Sequence, residues 1–108
     1  MASYLANAFS LQMIDIDTSE ESFLQVTSVR AEEVAEADFV SVIGHADTAN
    51  VVSGILNREV KMNRQSVKLT LMDTLYVAQV VGGRLPEGAT TLPEGFRIEF
   101  LKVRLVLT

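Results

Sequence analysis

A chain of 108 residues makes one domain with a modest core, and a hydrophobic content of 48% favours an apolar surface shared between two subunits. The absence of cysteine and the presence of one histidine, His45, exclude disulfides, thiolate catalysis, Cys-based zinc sites and a multi-histidine metal centre within one chain. A net charge of −5 argues against a general polyanion binder, and no uninterrupted apolar window approaches the roughly 18 residues of a membrane span.

The charge is spread unevenly. Residues 1–50 hold nine acids against Arg30 alone, whereas residues 51–108 hold eight bases against five acids. An anionic ligand would therefore be met by the second half of the chain, and a small one suits it better than a duplex.

The start of the chain lacks the basic segment of a signal peptide, and residues 4–9, uncharged and apolar apart from Asn7, predict a buried first strand ending near Ser10. A polar amide in a buried strand must be hydrogen-bonded, either to backbone or to something bound at the strand's edge, and both readings stand for Asn7 and Ser10. Asp15, Asp17, Glu20 and Glu21 form an acidic, turn-like segment. Asp15 and Asp17 on one strand face would make a magnesium pair, but such runs are as a rule solvated surface.

Residues 23–27 alternate as a second strand, and Ser28 offers an N-cap for a helix over 29–37 with an acidic outer face. Residues 39–43 are β-branched and predict a short buried strand. The sequence Gly44-His45-Ala46-Asp47-Thr48 then leads into helical spacing at Val51, Val52, Ile55 and Leu56, with Asp47 or Thr48 as the natural N-cap. His45 thus falls in a strand-to-helix turn, where free backbone N–H groups gather and anions bind. A histidine in such a place serves either as a structural hydrogen-bonder or as a catalyst.

Arg64 lies in a turn-like Met-Asn-Arg-Gln, as a solvated charge or a second anion clamp. Residues 66–71 alternate as a strand, 75–81 read as a central strand, and 96–107 as a long last strand suited to a sheet edge or an interface. Helices and strands are interspersed, which predicts a single α/β domain over 1–108: a mixed sheet of five or six strands with about two flanking helices.

Between the last two strands, residues 82–95 hold four of the six glycines and both prolines. A hairpin needs only about two to five loop residues, so a connection this long is a lid or binding loop unless disordered, and its prolines stiffen it. Its Leu-Pro-Glu-Gly unit occurs twice, each copy fitting a turn with Pro second and Gly fourth. Arg84 and Glu87 stand on the first turn, placed to meet a ligand.

Along Leu5-Ala6-Asn7-Ala8-Phe9-Ser10-Leu11, the run from Phe39 through Gly44-His45-Ala46-Asp47-Thr48-Ala49, Asn63-Arg64, and Arg84-Leu85-Pro86-Glu87-Gly88 onward to Gly95, the chain closely resembles the viral ring nucleases that act as type III anti-CRISPR proteins. The resemblance spans essentially the whole chain. It implies a symmetric, cytoplasmic homodimer that binds cyclic tetra-adenylate between its subunits and cuts it to linear di-adenylates with no metal or other cofactor. It places catalytic roles on His45, Arg84 and Glu87 and ligand-binding roles on Asn7, Ser10 and Arg64, with no partnership with DNA or membrane.

The chemistry of these residues fits that implication. A ribose 2′-hydroxyl can attack its own adjacent phosphate, so the substrate brings the nucleophile. Imidazole, which titrates near neutrality, suits protonation of the departing 5′-oxygen, and an arginine suits the charge gathering on phosphorus. Glu87 would orient Arg84 or draw on the 2′-hydroxyl. The alternatives are a non-catalytic sponge that sequesters the same messenger and, against the net charge, a DNA-binding regulator.

Overall fold

The computed structural model describes residues 2–14 and 21–106; Asp15 and Asp17, the conceived magnesium pair, lie outside the described residues, as does Leu107. Five strands, β1 (Ser3–Ala6), β2 (Phe23–Val29), β3 (Val40–Ser41), β4 (Thr74–Val81) and β5 (Arg97–Val106), form one mixed sheet in the order β2-β5-β4-β1-β3. Two helices, α1 (Ala31–Glu36) and α2 (Ala46–Leu56), accompany it. This is the α/β class that the alternation of patterns predicts. None of the helices among the described residues is long and apolar enough to cross a membrane.

Strand β1 pairs in parallel with both β3 and β4, while β5 runs antiparallel to β4 and to β2. The carboxyl ends of β1, β3 and β4 therefore emerge on the same side of the sheet. The last pair between β1 and β4 is Ala6 with Val77, so β4 continues four residues further than its neighbour, to Val81. That mismatch opens a notch beside the end of β4.

Both faces of the sheet are covered. One packs Leu5, Tyr76, Ala78, Ile98 and Phe100 against Val34 of α1 and Ala49, Val52 and Leu56 of α2. The other packs Leu75, Val77, Val103 and Leu105 against Ile14, Val67 and Leu69 from the irregular segments. Each buried Val or Leu contributes about 1.5–3 kcal/mol, and the alternation of β4 and β5 sends neighbouring side chains to opposite cores.

Several local expectations are corrected. Strand β5 is interior, between β2 and β4, because it is apolar on both faces; the outer strand is β2, whose Gln25, Thr27 and Ser28 are exposed. Residues 66–71 form no ladder: Leu69 makes an isolated parallel bridge to Ile14, its N–H donating to the Met13 carbonyl at 2.6 Å, and Val67 and Leu69 serve as a lid on the second core. Arg30, and not Ser28, stands at the N-cap of α1, since β2 runs on through Ser28 to Val29. His45 holds the N-cap place of α2 that spacing assigns to Asp47 or Thr48.

Helix α2 ends at Asn57, a left-handed residue with φ 53°, and the Arg58 N–H closes the cap on the Ser53 carbonyl at 3.3 Å. The Arg58 guanidinium then donates to the carbonyls of Ala35 and Ala37 at 3.1 and 2.7 Å and lies over the Phe39 ring. It fastens the end of α1 to the end of α2.

The long connection between β4 and β5 contains two identical turns. The Ala89 N–H donates to Pro86 and the Phe96 N–H to Pro93, both at 3.1 Å, with Gly88 and Gly95 at φ 81° and 83°. Each Leu-Pro-Glu-Gly unit thus places Pro first and Gly third, one position earlier than the sequence reading. The reason is that the third place of a type II turn requires positive φ, which glycine meets without strain. At the neck of the loop, Gly82 has φ 123°, and a Cβ there would lie 3.0 Å from the Gly95 carbonyl oxygen and the Phe96 Cα.

The far end of β4 depends on a carboxylate. Burial opposes ionisation of Asp73, but hydrogen bonds from the Thr70 N–H, the Ala2 N–H and the Thr70 hydroxyl, at 2.9, 3.0 and 3.1 Å, outweigh it and hold its carboxyl below the ordinary value. Because the folded pKa is depressed, this stability is present above the unfolded value, about pH 4, and is lost as pH falls through the folded one. Asp73→Ala is therefore expected to lose about 1–3 kcal/mol in urea denaturation near neutral pH, with the gap to wild type narrowing on acidification below about pH 4. Gly82→Ala is expected to lose on the order of 1–3 kcal/mol in the same measurement, because its neighbours at the neck are backbone atoms that cannot swing away.

Candidate functional site

Three segments leave the sheet at the shared carboxyl edge of β1, β3 and β4, and each carries one of the sequence-predicted residues. Asn7 follows β1, His45 follows β3 and Arg84 follows β4. All three line one cavity of about 320 Å³, together with Asp47, Thr48 and Gln79. The cavity occupies the notch where β4 outruns β1, the kind of crevice in which open α/β sheets bind ligands.

The turn that delivers His45 is fixed through the backbone of Gly44. The Gly44 N–H donates to the Asn7 side-chain oxygen at 3.2 Å, and the Gly44 carbonyl accepts from the Arg64 guanidinium at 3.3 Å. Arg64 lies flat enough that a Cβ on Gly44 would stand 3.5 Å from its Nε, an ordinary van der Waals distance. The Asn63 N–H donates to the Ile43 carbonyl at 2.8 Å and its side-chain amide to the Ser41 carbonyl at 2.7 Å, so the segment carrying Arg64 runs beside β3. Asn7 meets the backbone reading, its oxygen being spent on Gly44, while its residue borders the cavity.

His45 is exposed, with an extended backbone at φ −129° and ψ 128°, and its side chain does not cap the helix. The first turn of α2, whose Asp47 and Thr48 line the cavity, thus has no capping side chain from that position, and an uncapped helix N-terminus favours negative charge. Thr48, one turn in, is buried at 7% exposure and is a polar group on the cavity wall.

Ser10, Arg64 and Glu87 are not part of that lining. The Ser10 hydroxyl oxygen accepts from the Gln12 N–H at 3.2 Å and caps a short 3-10 turn over Leu11–Met13. Arg64 stands behind Gly44, one residue from His45. Glu87 is exposed at the second position of the turn over residues 86–89, on the loop that brings Arg84 to the cavity. A larger hollow, about 730 Å³, runs along the side of α2 past Ser53 and Gly54 to Arg58 and Met62, and gathers none of the six predicted residues.

Two lining residues escaped the sequence reading in their present roles. Gln79 interrupts the apolar run of β4, the same signal that marks Asn7 in the first strand, and it is exposed in the stretch of β4 that β1 leaves unpaired. Asp47 is in the first turn of α2, but its carboxylate oxygen accepts from the Gly88 N–H at 3.0 Å, across to the long loop. An acid before a helical pattern signals a cap; nothing in the local sequence says that its partner is 41 residues away.

Comparison with known proteins adds the ancestry. A family model described as STIV B116-like matches residues 3–100. The chain is 36% identical over 89 residues to the ORF116 protein of Acidianus filamentous virus 1, an alignment covering 82% of this chain and 76% of that protein. Its fold is similar to the solved structure of B116 of Sulfolobus turreted icosahedral virus, with a TM-score of 0.77 at 21% identity, over 96% of this chain and 99% of that one.

Proposed function

The chain belongs to the STIV B116-like family, whose matched relatives are viral proteins, and on that premise we propose that it is a metal-independent ring nuclease acting on cyclic tetra-adenylate. The observation that supports this reading is the convergence of Asn7, His45 and Arg84 on one cavity at the open end of α2. The resemblance of the sequence to the viral ring nucleases supplies the substrate and the activity. In this reading the enzyme destroys the messenger of type III CRISPR defence.

In a ring of ribonucleotides every 2′-hydroxyl stands beside a 3′-phosphate. Attack forms a bond from the 2′-oxygen to phosphorus and breaks the bond to the 5′-oxygen, leaving a 2′,3′-cyclic phosphate on one fragment and a 5′-hydroxyl on the other. His45 supplies the proton taken up by the departing oxygen, and Arg84 meets the negative charge that builds on phosphorus. Arg64 binds a phosphate that is not cut, Asn7 and Ser10 position ribose or base, and Glu87 supports Arg84 or the 2′-hydroxyl. Two subunits related by a two-fold axis present the same set to opposite phosphates, so two cuts yield two equal halves. The stiffened loop closes over the ring and excludes water, which strengthens the charges beneath it.

Incubation with cyclic tetra-adenylate in EDTA is expected to yield di-adenylate ending in 2′,3′-cyclic phosphate. His45→Ala should lower the single-turnover rate by about 10²- to 10⁴-fold and Arg84→Ala by on the order of 10²-fold or more. Intact ring recovered after denaturing the protein would assign a sponge in place of a nuclease. Sedimentation showing a monomer at saturating ligand would sink the shared-site arrangement.

A further inference from the structure

We infer that Asp47 is a positioning residue: its carboxylate latches the loop that carries Arg84 and Glu87 onto the first turn of α2, beside His45. The inference rests on the nuclease reading of this site only for its effect on turnover; the latch itself is a statement about the loop.

Asp47 is the acidic residue among those lining the cavity, and it shares that wall with Arg84 and His45. A carboxylate facing a space that receives phosphate opposes binding unless its charge is engaged elsewhere. Here one oxygen accepts from the Gly88 N–H at 3.0 Å. Gly88 is the third residue of the turn over residues 86–89, whose own closing bond uses the Ala89 N–H, so the Gly88 N–H is left over for an outside acceptor. Glu87 immediately precedes this contact and Arg84 lies four residues before it. The latch therefore fixes the part of the loop that matters to the cavity.

The loop follows the helix beyond the latch. At Gly54 a Cβ would stand 3.9 Å from the Thr90 carbonyl oxygen, so the chain passes close over α2 about 10 Å further along its axis. The neck at Gly82 and Gly95 holds the other end. Of these contacts, the one made by Asp47 is a side-chain hydrogen bond that a conservative substitution can preserve or remove. The second copy of the turn provides an internal control, because among the described residues the Gly95 N–H has no acceptor equivalent to Asp47.

Three forms of the full chain decide the matter: wild type, Asp47→Asn, which keeps an oxygen acceptor, and Asp47→Ala, which does not. The first readout is the initial rate of trypsin nicking between Arg84 and Leu85, followed by mass spectrometry. Asp47→Ala should nick about tenfold faster than wild type, the factor set by losing one hydrogen bond of ordinary strength, with Asp47→Asn close to wild type. The second is amide exchange by NMR in wild type alone, where Gly88 should exchange about tenfold more slowly than Gly95. The third is single-turnover cleavage of cyclic tetra-adenylate, in which Asp47→Ala should fall about tenfold and Asp47→Asn recover most of it. Equal nicking in all three forms, or an Asn variant that behaves like Ala, overturns the latch. Wild type that nicks and exchanges as described but leaves the ring intact retains the latch and removes the nuclease reading instead.

Discussion

The peptide of Gly44 is held from both ends, its N–H by the Asn7 amide oxygen and its carbonyl by the Arg64 guanidinium, and the placement of the whole candidate site depends on that grip. Asn7 brings in the end of β1, Arg64 brings in the segment beside β3, and the residue that follows Gly44 is His45, the N-cap of α2. The backbone of one residue thus joins three pieces of chain that are far apart in sequence. Neutral backbone groups meeting a side-chain amide and a charged donor give hydrogen bonds of roughly 0.5–3 kcal/mol each, enough to fix a short turn but not to freeze what lies beyond it. The imidazole is left exposed next to that held turn.

Rigidity on one side of the cavity is matched by adjustability on the other. The sheet and α2 are packed through two apolar cores, whereas the contacts of the loop over residues 82–96 include a glycine neck, the carboxylate of Asp47 and a close pass over Gly54, with Leu92 and Phe96 half-buried beside Ile55 and Phe100. Arg84 accordingly stands on the loop side of the cavity and His45 on the side packed into the sheet and α2.

Much of this was legible in the sequence, and the reasons are physical. The cluster of glycine and proline announced a shaped loop, and Gly44 before a helical pattern announced a turn into α2 at His45. Asn7 stood out as a polar group in an apolar run, although the strand expected over residues 4–9 ends at Ala6, one residue before it. What the sequence did not reveal was non-local. The order of the strands decides that β1 stops four residues short of β4, and only that mismatch creates a cavity for Asn7, His45 and Arg84 to share. The reach of Asp47 to Gly88 depends on how the loop lies on α2. The interior place of β5 was in principle readable, since Ile98 and Phe100 on one face and Leu101, Val103 and Leu105 on the other put core residues on both. Residues 66–71 misled because alternation reports burial on one side, and burial was supplied by the second core without any partner strand.

The two Pro-Glu-Gly turns repeat at an interval of seven residues, each closed by its own hydrogen bond and each with glycine at nearly the same dihedral angle. A connection assembled from self-contained modules can grow or shrink by a whole module while both junctions with the sheet keep their geometry. The span covered by such a flap is thereby adjustable in discrete steps, without rebuilding the scaffold below, and evolution or an engineer could resize the aperture for a wider or narrower guest by copying or deleting a single heptapeptide.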